Sequence, residues 1–330
     1  MDPYRGAHCV ERQDHMRKLI AQRLALGLLT LFGASILIFA GTEILPGDLA
    51  SALLQNNATE ENLATMRKEL GLDRPAVVRY VEWLGGALKG DLGKSLATER
   101  PVATDLAPRL RNTVFLAIYA SVISVPLSIL LGLMAAVWQG SYFDRAVNTI
   151  TLMTISVPEY LVAYLLMKYI SVQLGWLPTL ANVSEDTGLG DRFILTFLPM
   201  ATLVLVVIAH MMRMTRASVL AIMASPYIEM AFLKGISKWT VVVRHAFPNA
   251  LAPVISVVAL NLAYLIVGVV VVETVFVYPG LGQLMVDAVS KHDVPVVQAC
   301  GLLFASAFIV LNMLADIAAI LTNPRLRHPR

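Results

Sequence analysis

Few side chains in this sequence could do chemistry. The first to weigh are the ionisable groups within its long apolar runs, Lys168, Glu273 and Asp316, with Asn261 and Asn312 as polar neighbours. Charge inside lipid is costly, so such groups are candidates for ion or proton paths by default. A proton relay, however, needs acids near the bilayer centre. Glu273 falls near an outer interface and Asp316 near the inner one, where water or a basic partner is at hand, and Lys168 can snorkel along its helix. Asn261 and Asn312 suit hydrogen bonds between neighbouring helices. His210, followed by Met211, Met212 and Met214, suits a helix contact better than a flexible wall. Gly188-Leu189-Gly190-Asp191 has the G-x-G-D spacing of intramembrane aspartyl proteolysis, which needs its aspartate inside a span facing a second one. Here the motif lies in a polar connector beside Glu185 and Asp186. There is no phosphate loop of the spacing G-x-x-x-x-G-K-S/T, no HExxH, no GxSxG and no His/Cys cluster at metal-ligand spacing. Cys9 and Cys300 match no redox or metal pattern. No catalytic residue and no metal ligand is assigned.

The most specific pattern is mechanical. Residues 225–248, SPYIEMAFLKGISKWTVVVRHAFP, form a polar, basic island between two apolar runs that are each long enough to cross a bilayer. Ser225 suits an N-cap and Pro226 the first helical position, where a missing N–H costs nothing. Gly235 can take the left-handed conformation that closes a helix. Ser237 can then cap a second helix, expected to end before Pro248. Tyr227, Ile228, Ala231 and Phe232 are expected on one apolar face, with Glu229, Lys234, Lys238 and Arg244 supplying charge. Such a helical knuckle suits insertion into another protein.

Composition says what must hold the knuckle in place. With 57% hydrophobic residues, 15% charged and a mean hydropathy of +0.68, most of the chain must lie in lipid. The net charge of +3 is small, and the basic residues are not interleaved with aromatics, which argues against a nucleic-acid partner. A span needs about twenty mostly apolar residues. Six runs qualify, roughly 24–45, 114–138, 146–174, 193–212, 250–277 and 297–321. Basic residues mark the cytoplasmic side. Arg17, Lys18 and Arg23 precede the first run, and Arg145 separates the second from the third. Arg213, Arg216, Lys234, Lys238 and Arg244 crowd the connector after the fourth, while Arg325, Arg327 and Arg330 follow the last. An even span count with both termini cytoplasmic satisfies this pattern. The first run is longer than a signal-peptide core and lacks a small-x-small site behind it, so it reads as an uncleaved span. Translation from Met1 or from Met16 is compatible with the sequence.

Between the first two runs, Pro46-Gly47-Asp48 signals a turn and Thr59-Glu60-Glu61-Asn62 a helix start, with a surface helix over Glu60–Leu70 closed by Gly71. Gly90–Val102 reads as loop. After the fifth run, Tyr278-Pro279-Gly280-Leu281-Gly282 forces a tight turn, and Asp293–Gln298 returns the chain into the sixth.

Glu229, Ala231, Gly235 and Pro248 resemble the E-A-A, three residues, Gly, nine residues, I-x-L-P loop of binding-protein-dependent ABC importer permeases. The departures are Met230 for Ala, His245 for Ile and Phe247 for Leu. YIEMAFLKGISKWTVVVRHAFPNALAPVIS, LPGD, LGLD, GDLGKS, RPV, VVETVFVYPGLGQLMVDAV and DVPVVQA resemble, more narrowly, the oligopeptide, dipeptide and nickel importer permeases of the inner membrane, over about Met16 to Arg327. The resemblance implies an all-α membrane protein with six transmembrane helices in the importer-permease (MetI-like) fold. The hydrophilic segment 1–16 reads as a disordered cytoplasmic tail, and the resemblance implies a first span (17–45) and an external, periplasmic scaffold (46–111). A five-helix core (112–321) with the coupling loop 225–248 and a second tail (322–330) would follow. It also implies a homologous second permease, two ATPase subunits that bind ATP and Mg, and a periplasmic or lipid-anchored substrate-binding protein, with no cofactor in this chain. Carried over by position, ATPase coupling falls to Ser225, Pro226, Tyr227, Ile228, Glu229, Ala231, Phe232, Lys234, Gly235, Lys238, Arg244 and Pro248. The side facing the binding protein takes Pro46, Gly47, Asp48, Gly93, Pro279, Gly280 and Gly282. The cargo would be peptides or similar small solutes, and a nearly all-aliphatic pore wall would leave selection mostly to the binding protein. From the residues alone, two other functions stay open: a secondary transporter or channel driven by an ion gradient, and a membrane scaffold or receptor that binds a cytosolic partner.

Overall fold

A computed structural model describes residues 4–44, 59–69, 71 and 73–322. In chain order the helices begin with α1 (Tyr4–Ile44), α2 (Glu60–Glu69), α3 (Ala76–Leu88), α4 (Val102–Val137) and α5 (Tyr142–Ser156). Next come α6 (Glu159–Leu166), which continues as a π-helical turn over Met167–Gln173, then α7 (Leu189–Leu195), α8 (Phe197–Met223) and α9 (Pro226–Leu233). A single turn at Lys238–Thr240 and a π-helical turn at Val241–Ala246 lead into α10 (Phe247–Val275), followed by α11 (Leu281–Ser290) and α12 (Val294–Thr322). Among the described residues the only β contact is an isolated bridge between Lys94 and Pro101. Among the described residues five helices are long and apolar enough to cross a membrane: Lys18–Ile44, Val102–Val137, Phe197–Met223, Lys238–Ile266 and Val294–Ala318.

The third apolar run is broken. Instead of one helix over 146–174, α5 and α6 meet at a bend of 104°. Proline drives the residue before it out of the α region. Val157 accordingly sits at φ −96°, ψ 126°, and Pro158 becomes the residue ahead of the first turn of α6. Other boundaries shift outward. The first helix reaches back to Tyr4, through the stretch expected to be a disordered tail, and residues 7–26 hold no glycine or proline to interrupt it. α4 starts at Val102, not near 112, because Val102 and Leu106 are buried against Leu281, Ala288, Val296 and Ala299. α8 runs on through Arg213 and Arg216, which were expected in a connector. Nor does Pro248 end a helix. It lies in the first turn of α10, just after a π-helical turn, where a missing N–H forfeits little.

By packing, the described residues form two compact units. The first takes in Phe115–Tyr278, α1 up to Leu28 and α12 from Ala307. Its larger core joins Leu116 and Ala120 of α4, Leu203 and Val207 of α8, and Leu265, Val269 and Val272 of α10. A β-carbon added to Gly132 would lie 2.9 Å from the Met212 carbonyl oxygen and 2.9 Å from Thr215 Cβ. α4 and α8 thus cross at van der Waals contact through a residue with no side chain, as small residues allow in membrane helices. The second unit holds α1 from Leu29, the segment up to Val114, and Pro279–Ser306. There Phe39, Tyr80 and Trp83 stack α3 on α1, and Arg79 makes a double hydrogen bond to Glu43, at 2.7 and 2.6 Å.

Gly132→Ala should destabilise the protein by about 1–3 kcal/mol, the usual cost of overpacking, because backbone cannot yield. Gly33→Ala, where the new methyl meets nothing within 4 Å, should leave the thermal unfolding midpoint in detergent unchanged. Equal midpoints for the two variants would refute the close crossing.

Candidate functional site

The knuckle forms as local chemistry dictates, with two differences. Ser225 stands at the N-cap, and its carbonyl accepts from the Ile228 and Glu229 amides at 3.0 and 3.3 Å. Its hydroxyl, however, turns back and donates to the Ile222 carbonyl, so it caps by backbone alone. Pro226 opens α9. Gly235 takes φ +74°, with Ile236 N donating to Ala231 O at 3.3 Å and Gly235 N to Phe232 O at 2.9 Å. That paired closure needs a left-handed residue. Ser237 Oγ accepts from Thr240 N, capping the turn that follows. The second difference is the apolar face. Only Ile228 and Ala231 point inward; Tyr227 and Phe232 are exposed, as are Met230 and, at 75%, Leu233. Residues three apart share a side of a helix, so 228 and 231 face one way and 227, 230 and 233 another. Glu229, Lys234, Lys238, Arg244 and Pro248 are also exposed.

The inward pair is fastened to the long helices. Ile228 and Ala231 pack with Leu133, Ala136 and Val137 of α4, Val219 of α8, and Val241, Val242, Ala246, Ala250 and Val254 of the run into α10. Full burial of a side chain like Ile228 stabilises by about 1.5–3 kcal/mol. Three turns before α9, Arg216 donates to both carboxylate oxygens of Asp144 at the start of α5, at 2.7 and 2.8 Å. Asp144 is buried and also accepts from Gly140 N and Asn148 Nδ2. Beside Pro248, Asn249 Nδ2 donates to the His245 carbonyl at 2.7 Å.

Between α6, α8 and α10 lies a cavity of about 510 Å³. Its wall is apolar at Leu203, Val207, Leu260 and Leu265, and polar at Glu159, His210, Asn261 and Tyr264. His210 and Met214 therefore line space, while Met211 and Met212 make the buried contacts.

The remaining candidates are tied down. Asp316 pairs with Arg23 at 3.0 Å, both half exposed. Asn261 and Asn312 donate to carbonyls of their own helices, Val257 and Phe308, and not to neighbours. Lys168 is exposed, with its Nζ 5.7 Å from the Tyr169 ring. Asp191 is exposed at the start of α7, outside every candidate span. Glu273 and Tyr278 are fully buried; Arg192 hydrogen-bonds to Tyr278, and burial pushes that hydroxyl well above its ordinary range. Pro46, Gly47 and Asp48 lie outside the described residues. Gly93 is exposed at φ +79°. The turn after α10 is held in the second unit, where Asn112 Nδ2 donates to Pro279 O and Leu281 N to Thr113 Oγ1, both at 2.8 Å. Gly280 and Gly282 are buried there. The left-handed residue of this turn is Val277, at φ +52°, and not a glycine.

Comparison with known proteins decides the class. Residues 128–328 match the family described as binding-protein-dependent transport system inner membrane component, and residues 16–117 match its N-terminal region. The chain belongs to this family. The permease is 35% identical to a probable peptide ABC transporter permease protein of Sinorhizobium fredii, over 94% of its own length and 99% of the relative's. It is 38% identical to the glutathione transport system permease protein of Escherichia coli, over 95% and 100% of the two chains. This is a membrane permease subunit of an ABC importer, of the oligopeptide and dipeptide type.

Two features of the permease escape a reading of residue types. Glu159 sits within an apolar run and is visible there as the acid after Pro158, a pair that signals a helix start as much as a span. The Asp144–Arg216 pair joins residues 72 positions apart, and no spacing rule reaches that far. Removing one member of a buried ion pair costs about 3–5 kcal/mol. Arg216→Met should lower the unfolding midpoint of the purified permease accordingly. Arg216→Lys should recover only part, since a lysine cannot make the bidentate contact. A lysine variant as stable as the parent would show that the paired geometry is unimportant.

Proposed function

We propose that the permease has six membrane spans, with the bent pair α5–α6 counted as one, and that α9 is the coupling helix through which ATPase subunits drive it. The observation that carries this reading is the two-sided character of α9. One apolar pair, Ile228 and Ala231, is buried in the span helices, while Tyr227, Met230 and Leu233 stand in the open. An exposed apolar patch on a rigid, capped helix marks a protein interface. The basic residues nearby support a cytoplasmic location for this end of the spans by the positive-inside rule, with both termini on the same side.

ATP and Mg are held by the two partner ATPases, a homologous permease completes the path, and a substrate-binding protein delivers cargo on the opposite side. Peptides or similarly small solutes are the cargo, in keeping with the peptide and glutathione systems of the relatives. When the ATPases close, motion of α9 passes to α8 and α10 through the packing of Ile228 and Ala231 against Val219 and the run into α10. The spans then exchange inward-open for outward-open arrangements. Residues 90–102, Pro279, Gly280 and Gly282 act as an external scaffold: Asp293 accepts from Ser95 Oγ and from the Leu96 and Ala97 amides, which ties the loop to the start of α12.

Leu233→Glu changes a side chain already in the open, so the permease should fold normally and lose its ATPase subunits on co-purification. Glu229→Lys should weaken the same association, and Gly235→Val should misdirect the knuckle, since a β-branched residue tolerates φ > 0 poorly. Normal ATPase recovery with all three, and uptake intact, would remove α9 from the interface.

A further inference from the structure

We propose that Glu159 is a cation-recognising residue of the translocation path, and that the cavity between α6, α8 and α10 receives an ammonium group carried by the solute. The inference rests on the importer reading above and adds the chemistry the path selects. Pro158 breaks the run and places Glu159 in the first turn of α6, where a helix N-terminus favours negative charge. Its carboxylate lies against the backbone of α10 at Gly268: a β-carbon there would come 2.8 Å from Oε1 and 3.1 Å from Oε2. Glycine at 268 leaves the space this carboxylate occupies. Among the described residues the carboxylate has no hydrogen bond or ion pair, and the other ionisable groups on the wall are His210 and Tyr264.

A carboxylate desolvated in an apolar wall without a counter-charge is an acceptor for a cation that enters. Among the described residues no group of three or more His, Cys, Asp or Glu is placed to hold a metal ion, and a hard cation needs several oxygen ligands at once, whereas the wall offers the Glu159 carboxylate, the Asn261 amide and the Tyr264 hydroxyl beside His210. An alkylammonium needs less. It donates to a carboxylate, and the Tyr264 ring nearby supplies a face for it. A volume of about 510 Å³ falls within the range of small-molecule sites. The ammonium can be a peptide's α-amine or a lysine-type side chain, and these sources are separable.

The test uses the complete importer in proteoliposomes and three probes: Ala-Ala-Ala amide, with an α-ammonium; N-acetyl-Lys-Ala-Ala amide, with a side-chain ammonium; and N-acetyl-Ala-Ala-Ala amide, with neither. Dicyclohexylcarbodiimide, a carboxyl reagent that enters apolar sites, is followed at Glu159 by mass spectrometry without binding protein or ATP. At least one cationic probe should slow modification about tenfold relative to the neutral one, the scale of a hydrogen bond to a charged group; which one does so identifies the source. Equal protection by all three probes, or none by any, overturns the proposal. In ATP-driven uptake, Glu159→Gln should reduce the ratio of cationic to neutral peptide transported by a similar factor. Gly268→Ala, which displaces only the end of a flexible side chain, should reduce it too. An unchanged ratio in Glu159→Gln also overturns the proposal. Absence of ATP-driven uptake of every probe by the parent complex counts against the importer reading instead, and the protection measurement still decides for or against the ammonium site.

Discussion

Ile228 and Ala231 are buried between the ends of three long helices, and the placement of α9 depends on that contact. An eight-residue helix has no stability of its own in water, because nucleation costs more than so few hydrogen bonds return. α9 persists because its inward pair is packed against Val219, Val241, Val242 and Ala246 and because both ends are closed, by the Ser225 carbonyl and by the left-handed Gly235. A force applied to the exposed Tyr227, Met230 and Leu233 therefore meets a solid body continuous with α8 and the run into α10. The bidentate Asp144–Arg216 pair adds α5 to the same body. Low-energy rotation of the knuckle alone would uncover Ile228, and burial opposes it.

The spans themselves are shaped by interruptions of regular helix. Pro158 bends one run through 104°, and π-helical turns follow α6 and precede α10. Such turns cluster at functional sites because they loosen the ladder of backbone bonds where a side chain must be re-aimed. Here the bend turns a helix N-terminus, with its acidic first residue, into the wall of an apolar cavity. In lipid an irregular backbone is tolerated where it lines a cavity or is buried in protein, and Glu159 stands at such a place.

Around the turn after α10 and at the start of α12, strain and burial serve rigidity. Asp293 is buried and satisfied by three donors from the loop at 95–97. Val277 and His292 hold left-handed conformations at the ends of α10 and α11, positions that glycine usually fills. The penalty for a β-branched residue there is offset by burial of the residues beside it, Phe276 and Tyr278.

Residue types alone determined the all-helical membrane class, five of the apolar runs, the cap positions at 225 and 237 and the left-handed Gly235. These follow from hydropathy and short-range backbone chemistry, which act within a few residues. Tertiary structure decided the rest. It divided the apolar residues of α9 between an inward and an outward side, since helical spacing says which residues share a side but not which side is covered. It carried α8 through Arg213 and Arg216 and started α4 at Val102, because distant partners bury those turns. It showed that Asn261 and Asn312 bond within their own helices. Above all it placed Glu159 and His210 in one cavity: 51 positions of chain separate them, and only the packing of α6 against α8 and α10 brings them to a common wall.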